Sequence, residues 1–132
     1  MIIASARWTE QMRFEASGNS GLSVLMDGDG KAANSPMDLV LIALCGCTGY
    51  DVVSILQKKR EPLTGIEVTA EAEKAPQPPR VYTHIKLQYR VRGQVSRKAV
   101  EDAVRLSEGK YCSVAAMLSK SAKITYSIEL DS

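Results

Sequence analysis

An α+β fold with mostly antiparallel pairing, in the order β-β-β-α-β-β-α-α-β, is what this sequence predicts, and three observations predict it. Short alternating runs broken by turn residues fill the N-terminal third. One long apolar segment with helix punctuation at both ends follows. Two long period-two runs then precede a pair of shorter helices and a last alternating strand. With 132 residues, the chain reads as one domain spanning 1–132, long enough for a proper core.

The first strands show in Met12, Phe14 and Ala16, which alternate with Arg13 and Glu15, and Asn19-Ser20-Gly21 marks a turn before Leu22–Asp27. Asp27-Gly28-Asp29-Gly30 has the look of a calcium loop, but the ligand ladder does not reach a glutamate at the required spacing. Next comes a long helix. Asn34 or Ser35 can cap it, Pro36 suits its first turn, Asp38 complements its positive end, and Lys58-Lys59-Arg60 sits at its negative end before Pro62. Leu39 to Cys47 is apolar on every side, so that half is expected to be surrounded by protein. The uncharged run from Leu39 to Tyr50 falls short of the roughly 20 residues of a membrane span, which predicts a core helix. Gly46 and Gly49 sit in mid-helix, where glycine costs about 1 kcal/mol against alanine. Close approach by another backbone, such as a second helix, would account for them.

Ile66, Val68, Ala70 and Ala72 alternate with Glu67, Thr69, Glu71 and Glu73. Beyond Pro76-Gln77-Pro78-Pro79, Val81, Ile85, Leu87, Tyr89 and Val91 alternate with Tyr82, His84, Lys86, Gln88, Arg90 and Arg92. This is the period-two signature of a sheet with one buried and one wet face, and the acidic and basic outer faces would complement each other if the strands pair as a hairpin. His84 falls on the wet side. Ser96 caps a helix with Ala99, Val100, Ala103, Val104 and Leu106 inward and Gly109 at its end. A short helix from about Cys112 to Ser119 leads to the strand marked by Ala122, Ile124, Tyr126, Ile128 and Leu130.

The charge balance, 17 Lys+Arg against 15 Asp+Glu, lacks the basic face of a nucleic-acid protein, and 5% aromatic residues leave little for base stacking. The N-terminus lacks the pattern of a signal peptide, so a cytoplasmic location is expected, with neither membrane nor nucleic acid as partner. Three cysteines do not make a disulfide framework, and with one histidine they lack the paired spacing of a zinc site, so no metal or cofactor is expected. Cys45 and Cys47 lie about 200° apart around the helix, so at most one faces a site. Cys112, opening a short helix after Lys110-Tyr111, is the easiest of the three to make acidic. Three inert thiols and two-thiol redox chemistry both fit these residues alone.

Ser35-Pro36-Met37-Asp38-Leu39, Cys45-Gly46-Cys47-Thr48-Gly49-Tyr50-Asp51-Val52-Val53 and Tyr111-Cys112-Ser113-Val114 resemble the OsmC/Ohr family of osmotically inducible and organic hydroperoxide resistance proteins, in its OsmC-like branch. The resemblance implies an intertwined homodimer, with a long central helix packed on an antiparallel sheet and sites at the subunit interface. It implies a thiol peroxidase in which Cys47 is peroxidatic and Cys112 resolving. An organic hydroperoxide would be the substrate, and an external dithiol, such as a lipoyl protein, the reductant. The family sets a glutamate after the proline to orient an arginine towards the thiolate. Met37 stands there in this chain; Asp38 is the nearest acid, and the arginine corresponds to Arg13, with Arg7 as a rival. Met37 also motivates an alternative, a non-enzymatic or weakly active protein holding a small apolar ligand at the dimer interface.

Overall fold

A computed structural model describes residues 1–131 and has the predicted α+β composition. The described residues divide into two compact units, the first covering 1–41 and the second starting at Ile42. The first holds a meander of β1 (Ser5–Glu10), β2 (Arg13–Ser17) and β3 (Ser23–Asp27), antiparallel throughout. Gly21, at φ +77°, closes the β2–β3 turn, a left-handed conformation that suits glycine. The Asp27–Gly30 loop folds on itself. Asp27 is buried, and its carboxylate accepts hydrogen bonds from the Ala32 and Asp29 backbone N–H groups, both at 2.9 Å. Those bonds, the Ala32 bond foremost, hold its pKa below the usual carboxylate value.

The long helix α1 runs from Pro36 to Lys58. Ser35 is its cap: the Ser35 hydroxyl accepts from the Asp38 N–H, and the Asp38 carboxylate accepts from the Ser35 N–H, each at 3.1 Å. In the second unit, β4 (Leu63–Lys74) pairs antiparallel with β5 (Tyr82–Gly93). Glu67 faces Arg90, Glu71 faces Lys86 and Glu73 faces His84 across the hairpin, so the outer charges match as expected. A register shift at Glu73/Lys74 departs from the simple alternation: Tyr82 turns inward and Val81 outward. The helices α2 (Arg97–Leu106) and α3 (Ser113–Leu118) then carry the chain to β6 (Lys123–Asp131), which lies parallel to β5. Three of the four strand pairings are antiparallel, and this last one makes the second sheet mixed. Gly109 does not end α2. Residues Ser107–Tyr111 continue it as a single π turn, closed by the Cys112 N–H on the Ser107 carbonyl at 2.8 Å.

The core of the second unit is the inner face of β5 (Ile85, Leu87, Tyr89, Val91), the α2 residues Ala99, Val100, Ala103 and Val104, and one stripe of α1. That stripe is Leu44, Thr48, Val52 and Leu56, at every fourth residue. By length and apolarity alone α1 could cross a membrane. Its capping box, its buried stripe and the Thr48–Tyr89 hydrogen bond to the sheet make it a core helix. The half from Leu39 to Cys47, expected to be surrounded by protein, is not covered by this chain alone: Ile42 is 49% exposed and Gly46 is exposed too. A Cβ at Gly49 would meet the Val68 side chain at 3.4 Å, and one at Gly46 would meet nothing within 4 Å.

Candidate active site

Cys47 and Asp51 are four apart on α1, hence one above the other on the same helix face. The π turn widens the end of α2 just enough to bring Ser107 against that face and to deliver Cys112 as the N-cap of α3. The outcome is a cluster in which the sulfurs of Cys47 and Cys112 and a carboxylate oxygen of Asp51 lie within 4.8 Å of one another. Asp51 also lines a cavity of about 520 Å³ with Tyr50, Ser54, Ile55, Lys58, Lys59, Leu106 and Tyr111. Three donors fall short of the four in a closed zinc site. Two neighbouring thiols are also suited to sulfur redox chemistry, and the proton on Cys112 bears on it.

That proton is firmly held. Cys112 is buried, and burial pushes its thiol from 9.0 up to about 12. A hydrogen bond to Cys47 and the nearby Asp51 carboxylate act in the same direction, whereas the Ala115 N–H on its sulfur, at 3.3 Å, opposes them. The expectation that Cys112 is easily made acidic is therefore overturned: desolvation outweighs the donors at the start of α3. Cys47 is half-buried and the more accessible of the pair. Cys45, on the other side of the helix, lies on an apolar groove of about 530 Å³ with Ile42, Gly46, Gly49, Tyr50, Val53, Ile66 and Val68, and burial raises its pKa as well.

Behind Asp51 runs a set of polar side chains that sequence reasoning missed. Ser107 is hydrogen-bonded to Asp51, Thr48 joins Ser107 to Tyr89, and Tyr89 is hydrogen-bonded to Glu108. A threonine in an otherwise apolar buried stripe is the one visible signal. The other two candidates lie in the first unit. Arg13, on β2, pairs with Glu10 at 3.4 Å and sits opposite Asp27 in the sheet register. Asp38 holds the α1 cap. Arg7 pairs with Glu15 at 3.6 Å.

Residues 28–127 match the model of the OsmC-like protein family, which is most of the chain. The chain belongs to that family. Its OsmC-like relatives include the protein YhfA of Escherichia coli K12, 46% identical over 96% of each chain. A hypothetical protein from Aquifex aeolicus is 29% identical and superimposes with a TM-score of 0.87, covering 100% of this chain and 98% of the other. An organic hydroperoxide resistance protein from Elizabethkingia anophelis shares the fold, with a TM-score of 0.74 at 14% identity over 99% and 96% of the two chains. The OsmC-like fold with two adjacent cysteines is suited to a redox role.

Proposed function

We propose that this protein is a thiol peroxidase for organic hydroperoxides, a single OsmC-like domain working as a cytoplasmic homodimer. The observation that carries the proposal is the Cys47–Cys112 pair, with one accessible sulfur beside one that keeps its proton. The Cys47 thiolate attacks the distal peroxide oxygen, releasing an alcohol and leaving a sulfenic acid. Cys112 condenses with that acid, expelling water and forming a disulfide, which an external dithiol such as a lipoyl protein reduces. The cavity at Asp51 is the place for the peroxide's organic part, with the Tyr50, Ile55, Leu106 and Tyr111 side chains as its apolar lining. Arg13 keeps the thiolate-stabilising role that the resemblance gives it, with Asp38 as its acid partner. The exposed side of α1, with Ile42, Gly46 and Tyr50, is the face for the second subunit.

Mass spectrometry of the reduced protein after one equivalent of an organic hydroperoxide tests this. The expected product has lost two hydrogens per chain and gives a Cys47–Cys112 cross-linked peptide. An unchanged mass, or a link through Cys45, refutes it. The apolar groove on α1 supports a second reading, a small apolar ligand held at the dimer interface. A protein inert to hydroperoxides but raised in Tm by such a ligand would select that reading instead.

A further inference from the structure

Four oxygen–oxygen contacts run in series through the second unit: Asp51 Oδ2 to Ser107 Oγ at 2.9 Å, Ser107 Oγ to Thr48 Oγ1 at 2.8 Å, Thr48 Oγ1 to Tyr89 Oη at 2.6 Å, and Tyr89 Oη to Glu108 Oε1 at 2.7 Å. Each is a hydrogen bond and needs its own proton. The three hydroxyls between the carboxyl groups bring one proton apiece, so the series is one proton short. Thr48, Tyr89 and Ser107 are all 0% exposed, which leaves no solvent to fill the gap. The missing proton has to sit on Asp51 or on Glu108.

We infer that Asp51 and Glu108 share one proton, and that the three hydroxyls relay it between Glu108 and the cysteine pair. With the proton on Glu108, every hydroxyl points towards Asp51. With the proton on Asp51, every hydroxyl points towards Glu108. Moving the proton reverses all three hydroxyls and breaks no heavy-atom contact. The two ends have different surroundings. Glu108 is half-buried and opens on a cavity of about 310 Å³ with Arg105 and Tyr126, where a proton can enter. Asp51 faces Cys47 and Cys112, and shares its own cavity with Tyr50, Tyr111, Lys58 and Lys59. Burial raises the pKa of Glu108, in keeping with a carboxyl that holds a proton at rest, and burial raises Tyr89 too, keeping the phenol a neutral link.

The use of the relay rests on the peroxidase reading. The Cys47 thiolate and a hydroperoxide form the sulfenic acid and an alkoxide; Asp51, protonated through the relay, gives its proton to the alkoxide and becomes a carboxylate. When Cys112 attacks the sulfenic acid, the Asp51 carboxylate takes the Cys112 thiol proton and passes it to the departing hydroxide, so disulfide and water form. The proton given to the alkoxide is replaced from solvent through Glu108. Asp51 would be the proton donor at the reacting atoms, with Thr48, Ser107, Tyr89 and Glu108 positioning and supplying it.

Infrared spectroscopy of the reduced protein at neutral pH, without peroxide, reads the shared proton directly as the carbonyl stretch of a protonated carboxyl. The wild type should show it. Thr48→Val should lose it, because Tyr89 then donates to Glu108 and Ser107 to Asp51, and both carboxylates are satisfied without an extra proton. Thr48→Ser should retain it. A wild type without the band, or a Thr48→Val variant with the band unchanged, overturns the inference; the latter would mean a Glu108 protonated by burial alone. With hydroperoxide, Thr48→Val should slow turnover by up to about 10²-fold and shift its pH profile, and Thr48→Ser should do neither. A wild type that turns over no hydroperoxide defeats the peroxidase reading, while the carboxyl band still decides the relay.

Discussion

The two sides of α1 are both apolar in sequence, yet they meet different fates. On the inner side, Leu44, Thr48, Val52 and Leu56 are all fully buried against the chain's own core. On the other, Ile42 and Tyr50 stand exposed beside Cys45 and Gly46 along an open groove. Hydropathy does not separate these sides; the polar residues do. Cys47, Thr48 and Asp51 follow the inner stripe, and each finds a partner in β5, the π turn or the start of α3. The outer side carries a cysteine with nothing but apolar neighbours in its groove, Tyr50 apart. The proposed chemistry therefore belongs to the inner side and the proposed association to the outer one, and exchanging residues between them should break each property separately.

The largest effect is expected at the two cysteines of α1. Cys47→Ser should abolish hydroperoxide turnover, while Cys45→Ser should leave it within a factor of about two, because a half-buried cysteine in an apolar groove behaves as a small hydrophobe. Equal losses in the two variants, followed by a coupled peroxide assay, would erase the distinction between the faces. Next in size is the contrast in alkylation. With its pKa raised from 9.0 to about 12, Cys112 holds about 10³-fold less thiolate at neutral pH than a thiol at the ordinary value. The protonated form is the one the fold favours, so labelling by a thiol alkylator should climb tenfold per pH unit and level off only near the raised value. For the same reason the contribution of Cys112 to stability is full below pH 9.0 and declines as pH rises towards about 12. Peptide mapping after brief alkylation across a pH series measures the first effect, and denaturation across the same series the second.

Much of this arrangement is legible in the sequence because it depends on local periodicity. The Ser35–Asp38 cap, the Glu–Arg and Glu–Lys pairs of the hairpin and the inward face of α2 follow from spacing alone. The parallel placement of β6 is not legible, since alternation is the same whichever way a strand runs, and the α2–α3 connection decides its direction. Gly109 resembles a helix stop, but the chain has no left-handed turn there and goes through a π turn. Cys112 misleads for a related reason: the donors at a helix start can be read locally, and the burial that overrides them is a property of the packed core. Asp51 is within reach of sequence reasoning, one helical turn from Cys47. Tyr89 and Glu108 are not, because strand and turn meet α1 only in three dimensions.

Stability should follow the same division. Leu44→Ala leaves a hole at a fully buried position and should cost about 2–5 kcal/mol in chemical denaturation. Ile42→Ala, at a half-exposed position two residues away, should cost the separated chain within about 0.5 kcal/mol and weaken the dimer instead. A large loss for Ile42→Ala at dilution would mean that the outer face belongs to the monomer's core.

The smallest expected effect is also the most discriminating, because its sign depends on who covers the outer face. Gly46 sits in mid-helix, and a Cβ added there would have nothing within 4 Å, so Gly46→Ala should stabilise the separated chain by about 1 kcal/mol through helix propensity. Gly49→Ala should gain less, because its Cβ would meet the Val68 methyl at 3.4 Å. If the backbone of a second subunit approaches at Gly46, the same methyl group that helps the monomer obstructs the dimer. Denaturation of Gly46→Ala over a range of protein concentrations should then show a variant more stable than wild type when dilute and less stable when concentrated. A gain that persists at every concentration would remove Gly46 from the interface and leave its glycine without a role in association.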